Sequence, residues 1–118
     1  MPVRITRADA APPYSPPLHE GVAARRLQGH EAGPTERFWV GLSVYAPGGR
    51  ARTAPTAEET VYTTLDGELV LSADGREETL RRHDSAHLAK GTVRSIENRS
   101  AAPATLLVVI ANPNGAAL

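Results

Sequence analysis

The sequence predicts an all-β domain, a sandwich or a closed barrel assembled from short strands. Three observations carry this. Apolar residues recur at every second position in segment after segment, the period of a half-buried strand. Gly, Pro, Asp or Asn closes those segments at roughly eight- to twelve-residue spacing, as in small sandwiches and barrels. No window holds the long 3.6-residue apolar repeat of an amphipathic helix.

The first segment, 1–36, reads as an extended arm with short strands that packs on the barrel or on a partner subunit. Pro2, Pro12, Pro13, Pro16 and Pro17 remove amide donors and disfavour helix in the residues before them. Within the arm Val3 and Ile5 are expected to add a strand to a sheet edge, and Gly21 to Gly29 is a short strand candidate. The core spans 37–113. Phe38, Val40, Leu42 and Val44 alternate with Trp39, Gly41, Ser43 and Tyr45 until Pro47-Gly48-Gly49 breaks the strand. Strands follow at Thr60 to Leu65 and Glu68 to Ser72, stopped by Asp66-Gly67 and Asp74-Gly75. Asp-Gly pairs favour tight turns with positive φ, so a meander is expected here. Glu77 to Arg82, Ser85 to Ala89, Thr92 to Asn98 and Ala104 to Ala111 complete the set, and 114–118 is a tail.

A chain of 118 residues makes one domain. The run Leu106-Leu107-Val108-Val109-Ile110 is apolar on both faces, which predicts a strand buried on both sides. So short a chain buries only about 60 to 70% of its unfolded surface. A homodimer is therefore expected to cover the second face.

Thirteen Lys and Arg balance thirteen Asp and Glu, so no positive field exists for a phosphate backbone or an anionic membrane. Neither nucleic acid nor membrane is an expected partner. The absence of Cys excludes disulfides, thiolate nucleophiles and sulfur-built zinc sites, leaving His, Asp and Glu as metal ligands. The first thirty residues hold no apolar stretch of signal-peptide length, and nowhere do about eighteen uncharged apolar residues run together. A cytoplasmic protein is expected.

Pro47-Gly48-Gly49-Arg50, Glu58 to Leu69, Asp84 to Gly91, and then Arg94 and Asn98 resemble the two motifs of a small single-domain cupin of the RmlC-like superfamily, over about residues 38 to 111. The resemblance implies a double-stranded β-helix, or jelly-roll barrel, paired into a dimer. In metal-binding cupins the first motif supplies two His and a Glu, and the second one more His. Aligned on Gly67 and Gly91, those positions hold Ala54 and Thr56 (or Thr53 and Pro55), Thr60 and Arg94. A methyl, hydroxyls and a permanently protonated guanidinium cannot replace imidazoles and a carboxylate around a divalent cation. No cofactor is expected. Glu58, Glu59, His83 and His87 are the residues from which an unorthodox metal site would have to be built.

In the register that the resemblance implies, Arg94, Ile96 and Asn98 share one face aimed into the barrel. Arg94 there either anchors an anionic ligand, or pairs with an internal carboxylate such as Glu58, or snorkels to the mouth. Tyr62 shares the parity of Thr60 and Thr64, so a polar wall is expected, with Tyr62 a hydrogen-bond donor or acid. His87, the one His inside a predicted strand, is the general-base candidate, against a plain packing role. Trp39, with Gly41 and Ser43, offers an apolar pocket wall, although packing under the arm explains it equally.

The favoured expectation is a metal-free or weakly metal-binding cupin that binds a small organic acid or carbonyl compound in the barrel, to isomerise, cyclise or cleave it by acid–base chemistry. Arg94 would anchor the ligand, Tyr62 or His87 would move the proton, and Asn98 with Thr60 would orient the substrate. The alternative is a non-catalytic small-molecule-binding or accessory protein using the same cup. A metal-dependent dioxygenase is disfavoured by the missing ligands.

Overall fold

The computed structural model describes residues 3–114 and 117–118. Pro2 of the arm and residues 115–116 of the tail lie outside the described residues. Among the described residues nine strands run in chain order: β1 (Pro13–Tyr14), β2 (His19–Gln28), β3 (Phe38–Pro55), β4 (Thr60–Asp66), β5 (Leu69–Ala73), β6 (Arg76–Leu80), β7 (Ser85–Leu88), β8 (Val93–Glu97) and β9 (Ala104–Ala111). Helix among the described residues is confined to two 3₁₀ turns, Ala8–Ala10 and His30–Ala32. The strands form one continuous sheet in the order β6-β5-β8-β3-β9-β4-β7, with β2 added to β3 and β1 to β2.

β3 makes the sheet into a cup. Its first half, Phe38 to Tyr45, pairs with β9, and its second half, Arg50 to Pro55, pairs with β8, so the two halves belong to opposing walls. The sequence expectation ended this strand at Pro47-Gly48-Gly49; instead the chain bends there and continues. β2 follows the bend, with Val22 opposite Tyr45 on one side and Glu20 opposite Arg50 on the other. A Cβ on Gly49 would stand 2.4 Å from the Gly21 carbonyl oxygen, so the bend needs glycine for close approach.

The two Asp-Gly turns differ. Asp74 (φ 52°) and Gly75 (φ 72°) close a two-residue hairpin between β5 and β6, as positive φ at both central positions allows. Asp66-Gly67 joins strands that do not pair: β4 lies between β7 and β9, while β5 lies between β6 and β8. Gly67 turns a corner between walls, where a Cβ would meet the Pro103 carbonyl oxygen at 2.6 Å. The expected meander is thus only its second hairpin.

Alternation sorts the side chains. Tyr45, Ala51, Tyr62, Leu69, Leu71, Leu88, Ile96, Ala104, Leu106 and Val108 form the buried core between the walls. Val3 and Ile5 belong to no strand and stay exposed, correcting the expected edge strand. Arg4 anchors that segment instead, donating to Gln28 Oε1 (3.2 Å) and to the carbonyls of Gly33 and Pro34 (2.9 Å each). Among the described residues no helix is long and apolar enough to cross a membrane.

Candidate functional site

A cavity of about 420 Å³ opens between the walls, within the 300–1,000 Å³ range of small-molecule sites. Period-two geometry supplies its walls. Trp39 of β3, Ile110 of β9 and Thr60 of β4 lie abreast in one row, and Gly41, Val108 and Tyr62 in the next. The opposite wall gives Ala54 and Arg94, which are direct cross-strand partners. Tyr14 to His19 complete the lining from the N-terminal side.

Arg94 and Tyr62 meet inside this space. Arg94 Nε donates to Tyr62 Oη (3.0 Å) and its Nη1 to the Arg52 carbonyl (3.1 Å). Tyr62 is 5% exposed. Because its oxygen already accepts from a guanidinium, the phenol proton is left to donate elsewhere. Among the described residues no carboxylate lies within ion-pair distance of Arg94. Glu58, the internal partner considered from sequence, pairs with Lys90 (3.5 Å) instead. A half-buried cation without a carboxylate partner therefore faces the cavity.

Aromatic groups close one end. Trp39 and Tyr14 pack edge to face at 5.8 Å, and His30 meets Trp39 edge-on at 5.1 Å. The Arg26 guanidinium covers both rings, 3.6 Å from the Tyr14 centroid and 4.5 Å from that of Trp39, which favours a cation over the ring face. Glu31 neutralises Arg26 at 3.1 Å. Gly41 makes the room, since a Cβ there would stand 2.9 Å from the Trp39 ring.

Burial sets the protonation of the lining. Desolvation raises the Tyr14 phenol, with Arg26 partly opposing it, and raises Tyr45 well above the usual phenol range. Desolvation lowers His19 against the opposing effect of its hydrogen bond to the Pro17 carbonyl, and Arg94 lowers it further. His30 is lowered by burial and then by Arg26. Both imidazoles and both phenols are held neutral near pH 7, and among the described lining side chains Arg94 is the charged one without an ion-pair partner.

The sequence-chosen residues divide. Tyr62, Arg94, Thr60 and Trp39 line the cavity. Thr60 Oγ1 donates to the Glu58 carbonyl (2.9 Å), leaving its oxygen lone pairs as acceptors. Asn98 shares the inward parity but is not on the cavity wall. Its amide donates to the carbonyls of Tyr45 (3.0 Å) and Ala102 (2.8 Å), and its oxygen accepts from the Ser100 amide (3.0 Å) and hydroxyl (2.7 Å). A carboxamide so fully engaged has nothing left for a ligand, which corrects the expected orienting role. His87 points outward, because Ala86 and Leu88 take the inward positions of β7. Its Nε2 lies 2.5 Å from Glu59 Oε2 on the outer surface, outside the barrel, which corrects its candidacy as base.

The positions at which metal-binding relatives carry ligands do converge: Ala54, Thr56, Thr60 and Arg94 all line the cavity. They do not fit a divalent cation. Thr56 Oγ1 donates to the Ala89 carbonyl (2.9 Å) and accepts from the Thr92 amide (3.1 Å), Ala54 has no donor atom, and Arg94 repels a cation. Glu58, Glu59, His83 and His87 are not gathered into a site; among the described residues no three His, Asp or Glu stand in metal-binding proximity.

His19, His30, Tyr14 and Arg26 were not legible as site residues. They lie in the proline-rich stretch, in β2 and in the 3₁₀ turn after it, where no periodicity assigns a face. Only the pairing of His19 with Ala51 brings His19 to the cup.

The cupin domain profile matches residues 41–110. The chain belongs to the cupin family. It is 60% identical over 111 residues to a Mycobacterium tuberculosis protein named beta-D-galactosidase Rv1717, covering 94% of this chain and 96% of that protein. The polyketide cyclase RemF of Streptomyces resistomycificus superposes with a TM-score of 0.81 at 19% identity, covering 99% of this chain and 84% of the other. A cupin described as a sugar phosphate isomerase, from Silicibacter pomeroyi, gives a TM-score of 0.75 at 26% identity over 91% and 74%.

Proposed function

We propose that this cupin is an acid–base enzyme whose barrel cavity holds a small sugar derivative and cleaves it, with a β-galactoside as the substrate class. The observation that carries the reading is the Arg94–Tyr62 pair at 3.0 Å, a phenol donor held by a cation in a small, largely apolar cup. The 60% identity to a protein named as a galactosidase over nearly the full length of both chains supports the substrate class.

Most glycosidases use two carboxyl groups, about 5–5.5 Å apart when retaining and about 6.5–9.5 Å apart when inverting. Among the described residues Glu58 is the one Asp or Glu side chain lining the cavity, so no pair of carboxylate side chains stands there. Tyr62 takes the acid role. Its proton passes to the bridging oxygen as the bond from that oxygen to the anomeric carbon breaks, while Arg94 steadies the phenol oxygen and Thr60 accepts from a sugar hydroxyl.

The test is release of galactose from lactose, whose departing sugar oxygen needs a proton to leave. Wild type is expected to turn over and Tyr62→Phe to lose about 10²- to 10⁴-fold in kcat. A wild type without turnover, or a Tyr62→Phe enzyme of full activity, overturns the reading. The lack of a carboxylate partner for Arg94 favours a second reading, a non-catalytic binder of small organic acids. Calorimetry showing tight binding of hydroxy acids, without turnover of the galactoside, would select it.

A further inference from the structure

We infer that His19, carried into the cup by the N-terminal segment, is the general base that works opposite Tyr62. The inference rests on the hydrolytic reading above. His19 lines the same cavity as Tyr62 and Arg94. Its Nδ1 lies 2.8 Å from the Pro17 carbonyl oxygen. A carbonyl can only accept, so Nδ1 carries the hydrogen, and the neutral ring keeps its lone pair on Nε2.

The ring is also positioned. It packs on Tyr45 at 6.4 Å with planes inclined at 52°, and its backbone pairs with Ala51. Pro16 and Pro17 stiffen the approach, and Leu18, at φ 61°, turns the chain while its carbonyl accepts from the Arg52 amide at 2.9 Å. The surrounding titratable and charged groups are Arg94 from β8, Tyr45 from β3 and the Glu20–Arg52 ion pair at the rim. Burial and Arg94 both favour the neutral ring, which is the form able to take a proton.

The other three histidines are less suited. His87 is bonded to Glu59 outside the barrel, His83 is exposed in a turn at φ 72°, and His30 is packed edge-on to Trp39 beside Arg26.

The step balances without any further reagent. Water gives one proton to His19 Nε2 and its oxygen bonds to the anomeric carbon. The bond to the departing oxygen breaks, its electron pair stays on that oxygen, and the Tyr62 proton joins it. The proton on His19 then returns through solvent to the Tyr62 phenolate.

His19→Asn tests this, because a side-chain amide can still donate to the Pro17 carbonyl while Nε2 is lost. On 4-nitrophenyl β-D-galactoside, kcat is expected to fall about 100-fold or more with KM changed less than about threefold, and the acidic limb of the kcat profile to disappear. Long-range ¹H–¹⁵N spectra of wild type should show His19 protonated at Nδ1 near pH 7, with its titration below that of a free histidine. A wild type that turns over while His19→Asn loses less than about tenfold overturns the base assignment alone. So does a spectrum with the hydrogen on Nε2. A wild type without turnover overturns the hydrolytic reading and this inference with it.

Discussion

Arg94→Ala removes the cavity cation that has no carboxylate partner, and its effects on folding and on binding should separate in size. The folded protein loses two hydrogen bonds, to Tyr62 Oη and to the Arg52 carbonyl. Each is worth about 0.5–1.5 kcal/mol net, and relief of an unpaired, half-buried charge offsets part of the loss. The expected destabilisation is about 1–2 kcal/mol, a fall in Tm of roughly 3–10 °C for a domain of this size. A ligand loses more. A charge-assisted contact in a poorly hydrated cup contributes roughly 1.5–3 kcal/mol, so affinity should drop about ten- to a hundredfold. Thermal melts and calorimetric titration with a galactoside or a small hydroxy acid, on the same preparation, measure both quantities. A stability loss above about 3 kcal/mol with unchanged affinity would mean that the guanidinium neutralises a buried acid, and would refute the ligand-anchor argument.

Asn98→Ala should leave ligand affinity intact but cost about 2–3 kcal/mol in urea unfolding, because the fully buried Asn98 amide no longer donates to the carbonyls of Tyr45 and Ala102. Stability should also fall on acidification. His19 and His30 are held below the ordinary histidine value, so below pH of about 6.5 the unfolded chain binds more protons than the folded one. Tm is therefore expected to be steady above that pH and to decline from about pH 6.5 downward; a flat profile between pH 7 and 5 contradicts the burial of both rings. Prolonged dialysis against a chelator should change neither ligand affinity nor Tm, since Ala54, Thr56, Thr60 and Arg94 offer a divalent ion no donor set; a metal-dependent loss of either would restore the metalloenzyme reading. Light scattering should give twice the 12.5 kDa chain mass, the outer apolar face of Val40, Leu42, Val44, Leu107 and Val109 being covered by a second copy. Leu42→Glu should then halve that mass, and a monomeric wild type would exclude the dimer.

Much of the barrel was legible because strand period and turn chemistry are local properties. Ala104–Ala111 has the bounds that its apolar run predicts, and Asp74-Gly75 makes the hairpin that its φ preferences favour. Alternation also put Tyr62 with Thr60, and Arg94 with Ile96, on inward faces, since a β-strand offers a side chain only two directions. What periodicity cannot state is which strand pairs with which, or where a strand bends. Asp66-Gly67 has the same residues as the hairpin turn, yet it joins opposite walls, because β4 finds β9 and β7 rather than β5. The parity of His87 depended on the neighbours Ala86 and Leu88 filling the core from a short edge strand.

The chemistry of the cup was decided later still, by contacts between residues far apart in the chain. Nothing local marks His19, within a proline-rich arm, as a cavity residue; the pairing of β2 along the bend of β3 brings it there and Pro17 sets its tautomer. Glu58 could have neutralised Arg94 by composition alone, but it pairs with Lys90 and leaves the guanidinium to Tyr62. The sequence by itself determined the all-β class, most of the short strands, the Asp74-Gly75 hairpin and the residue types at the family's ligand positions, because each follows from residue type and spacing. Tertiary structure alone decided which polar groups share the cavity and which are already satisfied, because a hydrogen bond is spent on whichever partner the completed fold brings within about 3 Å.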